Sequence, residues 1–211
     1  MSEPSTSSRR REAPEVRQAD ILNAALDEFS RHGFEGARME DVARNARVSK
    51  GTVYLYYPTK QALFEALVMR DIAPRVATAS LFLKGYDGPI EPALMRMTEM
   101  AAAAIEAGKL PVYPKLLIAE AGRFPDLAAF YRREVVGKMI DALTTLFQRA
   151  LDRGEISGIT GEMAAHLFIA PLLKSLMWSL VFSRTDAAPF PPLPYLQTHV
   201  QVFLRGLNHG A

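Results

Sequence analysis

The feature that most limits what this 211-residue chain can become is the spacing of its apolar residues, which recur every three to four positions along nearly the whole sequence. Ile21, Leu22, Ala25, Leu26 and Phe29 form one such stripe, and Gly33, just past Arg31 and His32, is placed to stop that helix. Met39, Val42, Ala43 and Ala46 mark a second, short helix, with Glu40 and Asp41 in its first turn, where the macrodipole favours negative charge. Leu63, Phe64, Leu67 and Val68 make another stripe. Longer helical patterns follow near 89–107, 111–122, 126–153, 160–183 and 192–207, separated most clearly by GYDGP (85–89) and TDAAPFPPLP (185–194). Pro74, Pro114 and Pro171 fall inside such patterns, so each ends or kinks a helix by removing a backbone donor. No useful length of sequence alternates as a strand would. The expected fold class is all-α.

Composition narrows the chemistry. Hydrophobic residues make up 49% of the chain, enough for a sizeable core, and there are no cysteines to form disulfides, thiolate nucleophiles or metal ligands. His32, His166, His199 and His209 are scattered without metal-ligand spacing, and neither a phosphate-cradling glycine loop nor a Gly-x-Ser-x-Gly elbow is present. No metal, cofactor or enzymatic activity is expected. The N-terminus lacks the apolar region of a secretory signal and no run of about 18 apolar residues indicates a membrane span, so a cytoplasmic protein is expected. Residues 1–14, Ser-rich and carrying Arg9, Arg10 and Arg11, read as a disordered basic tail.

The formal net charge is only +2, but its distribution is uneven. From Val42 to Phe64 the chain carries Arg44, Arg47, Lys50 and Lys60 with no Asp or Glu. Within this segment VSKGTVYLYYPTK (48–60) crowds three tyrosines and two lysines together. Ser49 is placed as an N-cap, and Pro58 disfavours helical geometry at Tyr57, so the helix between them is short. Two short helices joined by the tight turn Arg47-Val48-Ser49 make a helix-turn-helix. Val53 and Tyr57, four apart, are expected to face the core, while Tyr54, Leu55 and Tyr56 project outward. There the phenols can bond phosphates and Leu55 can touch thymine methyls. Lys60, opening the next helix, is expected at a phosphate.

The stretch GFEGARMEDVARNARVSKGTVYLYYPTKQALFEAL resembles the DNA-binding domain of the TetR (tetracycline repressor) family. It carries Gly33-Phe34, Val42-Ala43, Val48-Ser49, Gly51-Thr52-Val53-Tyr54, Tyr57 and Lys60 in the family's order and spacing. The resemblance implies a helix-turn-helix domain over 15–68 and a larger helical domain over 69–211 for ligand binding and dimerisation. It also implies a regulator, a repressor by expectation, released from a palindromic double-stranded DNA operator by a small apolar effector. The DNA-binding residues it suggests are Arg38, Arg47, Ser49, Lys50, Gly51, Thr52, Tyr54, Leu55, Tyr56 and Lys60. Two positions depart from the family pattern. Arg47 stands where glycine is common, and if the turn keeps a left-handed residue there the cost is about 1–2 kcal/mol. Arg38 stands where a threonine usually caps the second helix, and loss of that cap costs ~1 kcal/mol.

In the larger part, Tyr113, Leu117, Phe124, Phe130, Met139, Leu143, Phe168 and Trp178 are candidates to line an apolar effector pocket. The helix near 160–183 carries Leu172, Leu173, Leu176, Met177 and Leu180, more apolar surface than one buried stripe requires. With Leu196, Val200, Phe203, Leu204 and Leu207 of the last helix, these residues are expected to form a homodimer interface of four helices, two from each subunit.

Overall fold

The computed structural model describes residues 14–107, 112–182 and 190–208. The Arg9–Arg11 cluster, the rest of residues 1–13 and His209 lie outside the described residues. Eleven α-helices account for most of the described chain, and no strand occurs among the described residues. The chain divides into two compact units, one ending at Leu67 and the other beginning at Val68.

The first unit contains α1 (Pro14–Gly36), α2 (Met39–Asn45), α3 (Lys50–Tyr56) and the start of α4 (Lys60–Asp71). Gly33 interrupts α1 with φ 71°, a conformation glycine adopts without steric penalty, so the stop falls where the sequence places it. The turn this creates folds Phe34 back onto Phe29, stacked at 5.5 Å, and edge-on to Phe64 at 6.4 Å. Ile21, Ala25, Phe29, Val42, Val53, Leu63, Phe64 and Leu67 are buried together with these rings. Burying a side chain of this size stabilises by about 1.5–3 kcal/mol, and that burial fixes which faces of α2 and α3 remain outside.

α4 passes the division between the units and stops at Asp71, because Pro74 has no N–H to continue the ladder. Its continuation is a separate helix, α5 (Ala73–Gly85), which the spacing of apolar residues does not single out. The second unit goes on through α6 (Ile90–Glu106), α7 (Val112–Glu120), α8 (Pro125–Tyr131), a π-helical stretch (Arg132–Gly137), α9 (Lys138–Asp152), α10 (Gly161–Val181) and α11 (Pro192–Asn208). α9 packs against α5 and α10, and α11 against α6 and α10. Leu83, Leu94, Leu143, Leu146, Phe147, Ala165, Phe168, Val200 and Leu204 form their shared core. Pro171 lies inside α10, and Ser175 Oγ, 2.9 Å away, donates to the Pro171 carbonyl.

The α5–α6 connector is held from a distance. Arg149 donates to the carbonyls of Leu83 and Tyr86 at 2.6 and 2.9 Å, satisfying the open end of α5. Glu155 accepts from the Ile90 N–H at 2.7 Å, a cap that Pro89, preceding α6, cannot supply from its own side chain. Among the described residues, α10 is long and apolar enough by length and composition alone to cross a membrane, although it is not an unbroken apolar run. It carries Glu162, His166 and Lys174, and it packs along α9.

Candidate nucleic-acid interface and apolar cavity

The outer face of α3 is built by local chemistry. Ser49 is extended (φ −70°, ψ 152°), and its Oγ accepts from the Thr52 N–H at 3.1 Å while lying 2.7 Å from the Thr52 hydroxyl. That bond fixes the start of the helix. Arg47 precedes it at φ 56°, so the turn does require the left-handed conformation that an arginine tolerates poorly. Arg38 sits at the N-cap of α2 without a side-chain cap, leaving its guanidinium exposed. Tyr57 leaves the helix in extended geometry before Pro58, and Thr59 Oγ1 accepts from the Ala62 N–H at 3.0 Å to open α4.

The helix then sorts its side chains by face. Val53 is buried, whereas Tyr54 is 39% and Leu55 80% exposed. Leu55, the penultimate residue of this short, capped helix, is apolar surface that the fold of the chain does not bury. Tyr56 departs from its expected outward position. Like Tyr57 it is half-buried, with the two rings 6.4 Å apart, because the helix ends at Tyr56 and the chain turns there. Gly51 is exposed, and an added Cβ would meet only Ser49 Oγ at 3.8 Å, so nothing within the subunit demands glycine there.

Two lysines are less free than the sequence suggests. Lys50 pairs with Glu40 at 2.5 Å and lies 5.6 Å from the Tyr54 ring. The hydrogen bond and charge of Lys50 hold the Glu40 carboxyl below its ordinary range, and Glu40 raises the Lys50 ammonium. Lys60 does not simply point outward to a phosphate, as expected. Its Nζ donates to the carbonyls of Phe34 and Glu35 at 2.8 and 2.7 Å and lies 5.2 Å from the Phe34 ring. A cation in the first turn of a helix opposes the macrodipole, and these carbonyls give it a better place. Lys60 thereby clamps the turn after Gly33, leaving one of its three N–H donors.

The second unit contains a cavity of about 920 Å³. Of the expected lining residues, Leu117, Met139, Leu143 and Phe168 reach it. The rest are spent on structure. Tyr113 is fully buried and donates from its hydroxyl to Asp71 at 2.5 Å, with burial and that contact pushing its ionisation far up. Phe124 is the N-cap residue of α8, and Phe130 lies under Arg133. Trp178 packs on Phe182 and Phe190 beside the Lys174 ammonium. The wall comes instead from aliphatic, Met and a few polar residues, including Arg75, Met97, Tyr131, Val135, Ile169 and His199. Leu172, Leu173, Leu176, Met177 and Leu196, expected at a subunit interface, also line it.

Burial corrects the expected interface. Leu196, Val200 and Leu204 are buried within the subunit, so they cannot meet a second copy. Phe203 and Leu207 are partly buried against the same core, and Leu172, Leu176 and Leu180 are half-buried. Of the expected residues Leu173 and Met177 are exposed, and with Met163, Leu167 and Val181 they form an exposed apolar stripe on α10, beside Val202 on α11, 63% exposed.

Comparison with known proteins follows the same two-part division. Residues 21–67 match the model for bacterial regulatory proteins of the tetR family, and residues 87–188 match the model for the tetracyclin repressor-like C-terminal domain. Over 67 residues the chain is 45% identical to the HTH-type transcriptional regulator RutR of Escherichia coli strain K12, covering 32% of this chain and 31% of RutR. It thus spans about a third of the length of that relative. The uncharacterized HTH-type transcriptional regulator YezE of Bacillus subtilis is 25% identical over 191 residues, 89% of this chain and 94% of YezE. A crystal structure of a transcriptional regulator from Pseudomonas aeruginosa PAO1 superposes with a TM-score of 0.78 at 23% identity, covering 95% of this chain and 94% of that one.

Proposed function

The chain belongs to the TetR family of bacterial regulatory proteins, regulators rather than enzymes, and on that premise we propose that it is a cytoplasmic, homodimeric repressor. It binds a palindromic duplex operator through α3 and releases it when a small, predominantly apolar effector enters the second unit. The observation that carries the reading is the outer face of α3. A Ser49-capped helix presents Tyr54 and Leu55 to solvent within a stretch that holds arginine and lysine and no carboxylate.

In this reading Leu55 touches a thymine methyl, and the Tyr54 and Thr52 hydroxyls meet phosphates or base edges. Tyr56, at the edge of the exposed face, contributes through its hydroxyl. Arg38, Arg47 and Lys50 supply phosphate contacts, Lys50 by giving up Glu40. Gly51 lets the backbone approach the DNA. Ser49 acts through its cap, and Lys60 through its clamp and its one remaining donor.

Pairing of the α10 stripes around a two-fold axis would cover an apolar surface that a monomer leaves to water. A dimer that meets successive major grooves needs its two copies of α3 about 34–36 Å apart, or a multiple of that. Effector binding shifts the equilibrium only by its differential affinity for the two states, and a coupling of 1–3 kcal/mol changes operator affinity about 5–150-fold. α4, which starts at Lys60 and stops before Pro74, is the covalent route for that coupling. The test is a fluorescence-anisotropy titration of promoter DNA with and without apolar compounds that raise the melting temperature. Compounds that stabilise the protein but leave DNA affinity unchanged would remove effector release and leave DNA binding standing.

A further inference from the structure

The wall of the second unit's cavity is almost wholly hydrocarbon and sulfur, and the few polar groups on it differ sharply in what they can pair with. No aspartate or glutamate lines it. Tyr131 is a neutral phenol, pushed up to about 12 by burial. His199 stacks on Phe203 at 5.4 Å and lies 6.1 Å from Phe168, with its Nε2 buried and without a hydrogen-bond partner. Burial lowers its proton affinity, so it enters the cavity wall as a neutral imidazole at neutral pH.

Arg75 alone brings a permanent charge to the wall. It stands in the first turn of α5, exposed, and spends its Nε on the Asp71 carbonyl at 3.2 Å. The neighbouring carboxylate of Asp71 is already taken by Arg70, at 2.7 and 3.0 Å, and by the Tyr113 hydroxyl. Among the described residues the Nη groups of Arg75 have no carboxylate partner, and because Arg75 is exposed while the wall is almost wholly apolar, its stem lines the cavity and its planar two-donor fork stands at the cavity's edge.

We infer that the cavity takes an anionic amphiphile, a ligand whose apolar body fills the hydrocarbon chamber and whose single carboxylate is held by the Arg75 fork. The inference rests on the reading of this cavity as an effector site and adds the sign and place of the ligand's charge. A cationic amphiphile finds no carboxylate on the wall and meets Arg75 as a like charge. A neutral one gains the burial of its body but nothing from the fork. The volume, about 920 Å³, is of the size that encloses small organic ligands.

The experiment uses decanoate, decanol and decyltrimethylammonium, three ligands with one tail and three heads, each below its micelle concentration. Their binding to the full-length protein is measured by calorimetry, without DNA. Decanoate should bind about tenfold tighter than decanol, the worth of one partly exposed charge-assisted pair, and the cation weakest. Arg75→Gln should bring decanoate down to the affinity of decanol and leave decanol unchanged, while Arg75→Lys should keep most of the preference. Circular dichroism confirms that each variant is folded, and Leu143→Trp, which fills the chamber, should abolish binding of all three. Equal binding of acid and alcohol, or a preference that survives Arg75→Gln, overturns the charge assignment while the cavity stays an effector site. Binding of none of the three, or binding that Leu143→Trp does not touch, overturns both. Selective decanoate binding with no effect on a DNA titration supports the inference and removes the control mechanism alone.

Discussion

Replacing Lys60 by methionine separates two roles that a lysine at this position can play. Methionine keeps the aliphatic stem and its packing and deletes only the ammonium. The structure gives that ammonium two carbonyl acceptors at 2.8 and 2.7 Å, both in the turn that Gly33 creates. A hydrogen bond to a charged group contributes about 1.5–3 kcal/mol where it is buried. Here the site is half-buried and water can replace the ammonium at Glu35, so a loss of about 1–3 kcal/mol is expected in all. For a unit of roughly 60–100 residues each kcal/mol moves the melting temperature by about 4–8 °C, so a drop of roughly 4–24 °C follows if the first unit melts separately. Scanning calorimetry of wild type, Lys60→Met and Lys60→Arg provides the assay, with a DNA titration at several salt concentrations alongside. The clamp predicts lower stability with Lys60→Met. A phosphate contact alone predicts unchanged melting and a salt slope reduced by about one unit. Melting of Lys60→Met at the wild-type temperature would refute the clamp.

Gly51→Ala should leave the free protein equally stable or up to about 1 kcal/mol more stable, since its Cβ meets only an ordinary contact at 3.8 Å. It should still weaken DNA binding, and a melt paired with a titration reads both. Leu167→Glu with Met177→Lys, placed in the exposed stripe of α10, should shift the mass seen in sedimentation from two chains to one while leaving helicity intact. An unchanged dimer would move the interface elsewhere. His199, whose folded-state affinity for protons is lowered by burial, binds fewer protons folded than unfolded, so stability falls as pH drops below about 6.5. His199→Phe should flatten that acid limb in melts between pH 7 and 5, and an identical pH profile would show that His199 does not contribute to it.

The parts of this structure that were legible in the sequence are those decided by neighbours along the chain. Ser49 caps α3 through a residue three positions on, and Gly33 stops α1 by its own backbone freedom. The left-handed turn at Arg47 belongs to this group. What could not be read depends on partners far away in sequence. Lys60 reaches back to Phe34 and Glu35, and Arg149 and Glu155 reach the α5–α6 connector. No spacing rule announces such pairs. The apolar stripe of α11 was visible, but a stripe buried by its own subunit and one buried by a partner have the same period, so Leu196, Val200 and Leu204 were assigned to the wrong surface. Of the residues expected at the cavity, Leu117, Met139, Leu143 and Phe168 line it, whereas Tyr113 and Trp178 are occupied with Asp71 and with neighbouring rings. Its wall is largely aliphatic and Met, residue types that every core contains.

The central claim, that α3 reads duplex DNA from a two-fold dimer, is tested most directly by selection from a pool of random duplexes, followed by sequencing of the bound fraction. Wild type should enrich an inverted repeat whose half-sites lie about one helical turn apart or a multiple of it. Affinity for the winning duplex should fall steeply with salt, and Leu55→Ala should relax the preference within each half-site. Failure to enrich any sequence, or enrichment of the same inverted repeat by a Tyr54→Ala, Leu55→Ala double variant, would contradict the account.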